Sequence, residues 1–310
     1  MAPVIRVCEV TEFGGPEVLR VAGRLLPVPQ GDEVVVEIAA AAVNPTDLAA
    51  RSGHHRARMP DLKPPFVAGW DLAGVIADAG NGASGYAVGD AVVGMIPWIA
   101  IGGRVGSNAE AAVVDPAWLA PRAADFGPVL AATIPLNSVT ARQCLDLLAL
   151  APGASILITG ASGAVGSFAT QLAVMDGLQV TAQAAEGDEE WVAGLGAHEV
   201  VTRDVELTAL GQFDAVFDAV PIGAGAAAAV RDGGAAVFTR GVPEIDTQRI
   251  RAYGPLAQTD AAALKDLVEL AQRGQLRSRI AATFGLAQAP GAHRLAERGG
   301  VRGKLVLTMR

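Results

Sequence analysis

The chain has 310 residues, 51% hydrophobic and 18% charged, which is enough for two domains with a generous interior. Its formal net charge of −8 argues against nucleic acid or an anionic membrane as the main partner. Two cysteines, Cys8 and Cys144, far apart and outside any Cys-x-x-Cys context, exclude a disulfide framework and a four-cysteine zinc site. No apolar run reaches the roughly 18 to 20 residues that span a bilayer. Met1 to Val10 has no signal-peptide core, so a cytoplasmic protein is expected.

The first 125 residues read as short strands broken by turn residues. Glu33 to Ile38 alternates, and turns follow at Asn44-Pro45, Gly53, Pro64-Pro65, Gly80 to Gly85 and Gly89-Asp90. Ala91 to Gly103, broken by Gly94 and Pro97, reads as a buried strand and turn. From about Phe126 the rhythm changes. Helical spacing over Thr140 to Leu150 precedes a strand at Ser155 to Thr159 and a helix at Val165 to Met175. Strands follow at Gln179 to Ala182, Glu199 to Val201, Phe213 to Asp218 and Ala235 to Thr239. Helices at Glu189 to Leu195 and Gly223 to Val230 separate some of them. Alternating strands and helices with continuously apolar strands predict a parallel sheet covered on both faces. Ala261 to Gly274 reads as an amphipathic helix with Leu264, Leu267, Val268 and Ala271 on one face, and Lys304 to Thr308 closes the chain as a strand.

The most informative segment runs from Ser155 to Gly166. An apolar strand leads into Gly160, Gly163, Ala164, Val165 and Gly166, and a helix starts at once. A dinucleotide site needs a tight turn, close backbone approach to the pyrophosphate and helix N–H groups facing the anion. The spacing is Gly-x-x-Gly-x-x-Gly, looser than Gly-x-Gly-x-x-Gly, and its place at the head of a βαβαβ series is what makes it specific. A glycine turn that binds nothing is the alternative.

Further segments set this turn in a wider pattern: Gly14 to Leu19, Asn44 to Asp47, Arg51-Ser52-Gly53, Gly69 to Gly74, Val88-Gly89-Asp90 and Gly303 to Leu307. With them the whole chain resembles the zinc-independent quinone oxidoreductases and enoyl reductases of the medium-chain dehydrogenase/reductase superfamily. The resemblance implies an α/β fold: a GroES-like β-barrel catalytic domain over 1–125 and 285–310, and a Rossmann domain over 126–284 with a doubly wound parallel sheet. It also implies hydride transfer from NADPH or NADH to a quinone or α,β-unsaturated carbonyl compound.

Zinc-binding members of the superfamily use a cysteine and a Gly-His-Glu segment. Here the matching segment is Gly69-Trp70-Asp71, without an imidazole, and adjacent His54 and His55 do not make an i, i+4 ligand pair, so no metal is expected. By the resemblance, Asn44 lies beside the nicotinamide and ribose, although a plain Asn-Pro turn also accounts for it. Thr140 faces the nicotinamide end, and Val220, Phe238, Thr239 and Arg240 frame the carboxamide. Asp47 and Arg51, four apart, read as an ion pair. His55 stands where related enoyl reductases carry a tyrosine, so it is a candidate proton donor, with a solvated loop histidine as the alternative. His54, Trp98 and Asn137 are expected at the substrate end, and the usual Gly-x-Tyr-Ala-Glu is Gly106-Ser107-Asn108-Ala109-Glu110.

The second Rossmann strand leads into Ala185, where the family has serine, and Gly187, where it has a basic residue. Carboxylates at Glu186, Asp188, Glu189 and Glu190 oppose the 2′-phosphate of NADPH, while Arg203 offers a compensating charge. Family habit favours NADPH and the acidic stretch favours NADH. The alternatives to redox function are a cyclase or dehydratase, or a crystallin-like dinucleotide-binding protein. Family habit also implies a homodimer joined at the sheet edge near Ala235 to Phe238.

Overall fold

The computed structural model describes residues 2–80 and 85–309. The interior of the Gly80 to Gly85 turn therefore lies outside the described residues. Contacts divide the chain into two compact units: Met1–Leu136 with Thr259–Gln275 and Arg279–Arg310, and Asn137–Gln258 with Leu276–Ser278. The first thus takes in residues 126–136 and most of 259–284, which the sequence rhythm groups with the Rossmann segment. Among the described residues no helix is long and apolar enough to cross a membrane.

The first unit opens with β1 (Val4–Val10), β2 (Leu19–Leu25) and β3 (Val34–Val43), then α1 (Pro45–Ser52). β4 (Phe66–Val67), β5 (Asp71–Asp78), β6 (Ala91–Met95), β7 (Ala111–Val114) and β8 (Leu119–Pro121) follow, with α2 (Pro128–Ala131) behind them. β3 runs five residues past the alternating stretch. It is flanked on both sides, so Ala40 to Val43 are buried and only Glu37 and Ala39 reach the surface. Apolar side chains of β3, β5 and β6, including Val36, Ile38, Leu72 and Val92, form the core with Trp98.

The second unit is reached through α3 (Pro135–Leu148), which starts five residues before the expected helix because Pro135 suits a first helical position. Then come β9 (Ser155–Thr159), α4 (Ala164–Met175), β10 (Gln179–Gln183), α5 (Glu189–Ala193), β11 (Glu199–Val201), β12 (Phe213–Asp218), α6 (Ala224–Ala228), β13 (Val230–Phe238) and β14 (Arg251–Tyr253). All six strands are parallel, in the order β11-β10-β9-β12-β13-β14. Counted within the sheet this is 3-2-1-4-5-6, the doubly wound order, and the direction reverses beside β9. β13 begins at Val230, five residues before the expected strand, because Val230 already pairs with Phe213 although Arg231 to Gly234 read as a turn. Its far side is covered by β14, so Ala235 to Phe238 is not a sheet edge; among the described residues the edges are β11 and β14. That corrects the expectation that Ala235 to Phe238 forms the edge of the sheet.

The chain then returns to the first unit through α7 (Ala261–Gln272), β15 (Ile280–Gly285), α8 (Ala289–Arg298) and β16 (Lys304–Thr308). Leu264, Leu267, Val268 and Ala271 are the buried face of α7. β15 pairs parallel with β16, and β16 lies antiparallel to β3, completing the order β15-β16-β3-β5-β6-β8, with β7 also on β3.

Candidate functional site

In the second unit the glycine turn joins β9 to α4 at the reversal of strand order. Gly160 has φ +64°, and a Cβ there would stand 2.6 Å from Val220 Cγ1. A Cβ on Gly166 would collide with the Gly160 carbonyl oxygen, so this glycine lets helix and strand meet. Gly163 caps α4 without a side chain, and its nearest neighbour is 3.2 Å from the place of a Cβ. The first amides of α4 therefore meet no capping side chain, as an anion site requires. The turn is tied to β10 by the Ala161 N–H donating to Gln183 O (3.0 Å), and the Ala185 N–H donates to Ser162 Oγ (2.8 Å).

Beside the turn lies a cavity of about 520 Å³ whose walls include Gln183, Arg203, Glu206, Val220, Pro221 and Ile222. This is within the size range of small-molecule sites. Its charged walls are Arg203 and Glu206; none of Glu186, Asp188, Glu189 and Glu190 lines it, and Asp188 is buried. Asp218, at the end of β12, organises the neighbouring loops. Thr159 Oγ1 and the Gly223 N–H donate to its carboxylate (2.5 and 2.8 Å), and the Thr239 N–H donates to its carbonyl (3.1 Å). Val220 and Thr239 are thus held at the carboxyl ends of β12 and β13. Phe238 is buried and Arg240 exposed, while Asn137 and Thr140 stand one turn apart on α3.

In the first unit the polar residues gather around Asn44, which ends β3 and precedes α1. Its backbone N–H donates to Asp47 Oδ2 (2.7 Å) and its Nδ2 donates to Asp71 Oδ2 (2.7 Å) and Ala42 O (3.3 Å). Lys304 Nζ donates to Asn44 Oδ1, and the Leu136 N–H donates to Asp71 Oδ1 (2.6 Å). All four side chains, Asn44, Asp47, Asp71 and Lys304, are buried. Burial raises the Asp47 carboxyl to about 7, and Asp71 adds to this by like charge. Burial also raises Asp71 and lowers Lys304, each opposed by the other's charge. Nothing local in the sequence links Lys304 or Asp71 to Asn44.

Two readings change. Asp47 and Arg51 do not pair: the Asp47 carboxylate turns back to the start of α1, while Arg51 donates to Gly14 O (2.5 Å) and pairs with Glu297. Trp98 is fully buried, its Nε1–H donating to Val67 O (2.9 Å) and its ring 4.9 Å from Trp70. It is a core residue and offers no surface to a substrate. His55, in a short 3₁₀ turn after α1, is half-buried. Its Nε2 meets Thr46 Oγ1 (2.9 Å) and Thr46 O (3.2 Å), and burial lowers its pKa. It is thus fixed rather than freely solvated. His54 is exposed, with Nδ1 against Ser52 Oγ (2.7 Å).

Family models match in two stretches, as an alcohol dehydrogenase GroES-like domain over residues 30–124 and a zinc-binding dehydrogenase over residues 195–307. The chain belongs to the medium-chain dehydrogenase/reductase superfamily. Within it, the chain is 34% identical to a 2-methylene-furan-3-one reductase of Solanum lycopersicum over 74% of its own length and 61% of the relative's. It is 28% identical to a chloroplast envelope quinone oxidoreductase homolog of Arabidopsis thaliana over 91% of both chains. The quinone oxidoreductase structure from Coxiella burnetii superposes with a TM-score of 0.90 at 26% identity, covering 99% of this chain and all of that one. The chain spans 61% of the length of the tomato relative, less than two thirds. A nicotinamide cofactor goes with this family, and the glycine turn of this medium-chain protein fits one. Zinc does not fit the residues present. Among the described residues no three of His, Cys, Asp and Glu come together, and both oxygens of Asp71 are engaged beside a buried ammonium that would repel a metal cation.

Proposed function

We propose that this protein reduces the C=C bond of an α,β-unsaturated carbonyl compound, or a quinone, with NADPH favoured over NADH. The observation that carries the reading is the glycine turn, open at Gly163 and set at the strand-order reversal, beside a cavity whose basic wall is Arg203. A bound nicotinamide supplies the hydride. The free amides of α4 hold the pyrophosphate, Val220 and Thr239 frame the carboxamide, and Thr140 orients the nicotinamide end. Arg203 meets the 2′-phosphate. A quinone takes up its protons on oxygens that water can reach, whereas an enolate needs a proton at carbon. His55, held by Thr46, supplies that proton. Asn137 and His54 border the substrate. The protein acts in the cytoplasm as a homodimer joined through β14.

The test is titration of the pure protein with NADPH and NADH by tryptophan fluorescence, followed by cofactor oxidation with quinones and enones. Binding of NADPH and turnover of at least one acceptor class is expected. Binding of neither dinucleotide overturns the reading and returns the scaffold to non-redox chemistry.

A further inference from the structure

One nitrogen of His55 faces two oxygens of a single residue. α1 ends at Gly53, whose φ of +84° turns the chain back, and the 3₁₀ turn from His54 to Ala57 follows at once. The His55 ring lies against Trp70 and Trp98, at ring-centre distances of 6.2 and 6.5 Å, with its Nε2 at the first turn of α1. There Thr46 Oγ1 stands 2.9 Å away and Thr46 O 3.2 Å away. The ring is half-buried, and its Nδ1 meets no hydrogen-bond partner among the described residues. Thr46, His55, Trp70 and Trp98 all belong to the first unit.

A neutral imidazole carries one proton, on either nitrogen, and its neighbours choose which. A carbonyl oxygen only accepts, so a bare Nε2 would set its lone pair against that of Thr46 O. A hydroxyl accepts or donates, so Thr46 Oγ1 adapts to either form. Only an Nε2–H satisfies both oxygens at once, and it leaves the lone pair on Nδ1. A half turn of the ring would put Cε1 where Nε2 now stands and break both contacts.

We infer that Thr46 is a positioning residue that holds His55 as the Nε2–H tautomer and leaves Nδ1 as the atom that binds and releases a proton. This deepens the reading that His55 protonates an enolate, and rests on it. The charged ring carries protons on both nitrogens, and the one on Nδ1 is given up. Its N–H bond breaks, the enolate π pair forms the new C–H bond, and the N–H pair stays on Nδ1. What remains is the same Nε2–H tautomer, so the ring neither turns nor lets go of Thr46, and solvent returns the proton. Burial opposes protonation of the ring, as do the charges of Arg58 and His54, which face it; the Thr46 carbonyl, as an acceptor, favours it. Thr46 acts through His55.

The experiment is NMR of the ring nitrogens in protein labelled with ¹⁵N-histidine, with His55→Gln identifying the His55 signals among those of four histidines. Above the His55 pKa the native protein should show Nε2 protonated and Nδ1 bare, and acid should change Nδ1 alone. A bare Nε2 with a protonated Nδ1 overturns the inference, and this measurement needs no substitution at Thr46. Thr46→Val keeps the shape and removes the hydroxyl. It should give a mixture of tautomers and lower the titration midpoint by about half a pH unit or more, and Thr46→Ser should restore both. A Thr46→Val spectrum and midpoint equal to native overturn the role of Thr46. The same variant should lower the ratio of enone to quinone turnover by about tenfold, with recovery in Thr46→Ser. If tautomer and midpoint shift as expected while that ratio stays within about twofold of native, His55 as proton donor is what fails.

Discussion

His293 on α8 lies within electrostatic reach of the Arg51 guanidinium, and neither of its ring nitrogens has a hydrogen-bond partner among the described residues. Both side chains are buried. Burial, helped by the charge of Arg51, lowers the imidazole to about 3. His293 is therefore folded in as a neutral ring.

An unfolded histidine takes its proton near pH 6.5, whereas the folded one resists to about 3. The unfolded chain thus binds more protons across this window, so the His293 contribution is intact above pH 6.5 and shrinks as pH falls. Asp47, raised from 3.8 to about 7, works in the opposite sense, losing stability as pH rises between those values. The diagnostic is therefore the difference between the native protein and His293→Leu in urea unfolding at pH 7 and pH 4. The variant should gain on the order of 3 kcal/mol relative to native on going to the lower pH. Parallel losses in the two proteins would show that His293 is not the acid-sensitive group.

The two outer requirements of the glycine turn separate by mutation. Gly166→Ala drives a methyl into the Gly160 carbonyl, so stability and dinucleotide binding should fall together. Gly163→Asp brings a Cβ to 3.2 Å from the Gly160 carbonyl oxygen, a far milder contact than at Gly166, and suits a helix N-cap, so the fold should lose little melting temperature. Its carboxylate stands where the pyrophosphate belongs, and dinucleotide affinity should drop by about a hundredfold or more. Thermal melts with fluorescence titrations check both.

Arg203→Ala should weaken NADPH by roughly tenfold and leave NADH within about twofold, because only the former carries the extra phosphate. Equal losses for both cofactors would place Arg203 on the adenosine itself.

His55→Gln keeps a hydrogen bond to Thr46 but cannot titrate. Enone reduction should slow by about a hundredfold, with quinone reduction nearly unchanged. In the native enzyme kcat/KM for an enone should fall as pH rises through the His55 pKa, at a pH below the ordinary histidine value. Equal slowing with both acceptors would remove His55 from proton transfer.

What the residues disclosed depended on distance along the chain. The turn from Gly160 to Gly166 was readable because its three constraints fall within seven residues and meet at one helix end. The parallel sheet followed from the alternation of strands and helices, whereas its strand order is set by contacts between distant segments. The pairing of Asp47 with Arg51 misled because i, i+4 spacing permits contact without requiring it. Asp47 sits in the first turn of α1, where a carboxylate serves the backbone, and Arg51 is drawn to Glu297, contributed by α8. Lys304, Asp71 and His293 gave no local sign at all. Their roles come from sheet register and helix packing between distant segments, which no window of sequence contains.

β16 also sets when the buried cluster around Asn44 can form. Asn44 and Lys304 are 260 positions apart, and β16 enters the barrel sheet only after the entire Rossmann segment has been made. A nascent chain that has just completed its parallel sheet already carries the glycine turn, yet its barrel holds Asp47 and Asp71 without the Lys304 ammonium. Such a half-made barrel has two carboxyl groups to bury and no counter-ion for them, which disfavours its closure. Arrival of the final strand relieves that imbalance and sets the asparagine in the same event.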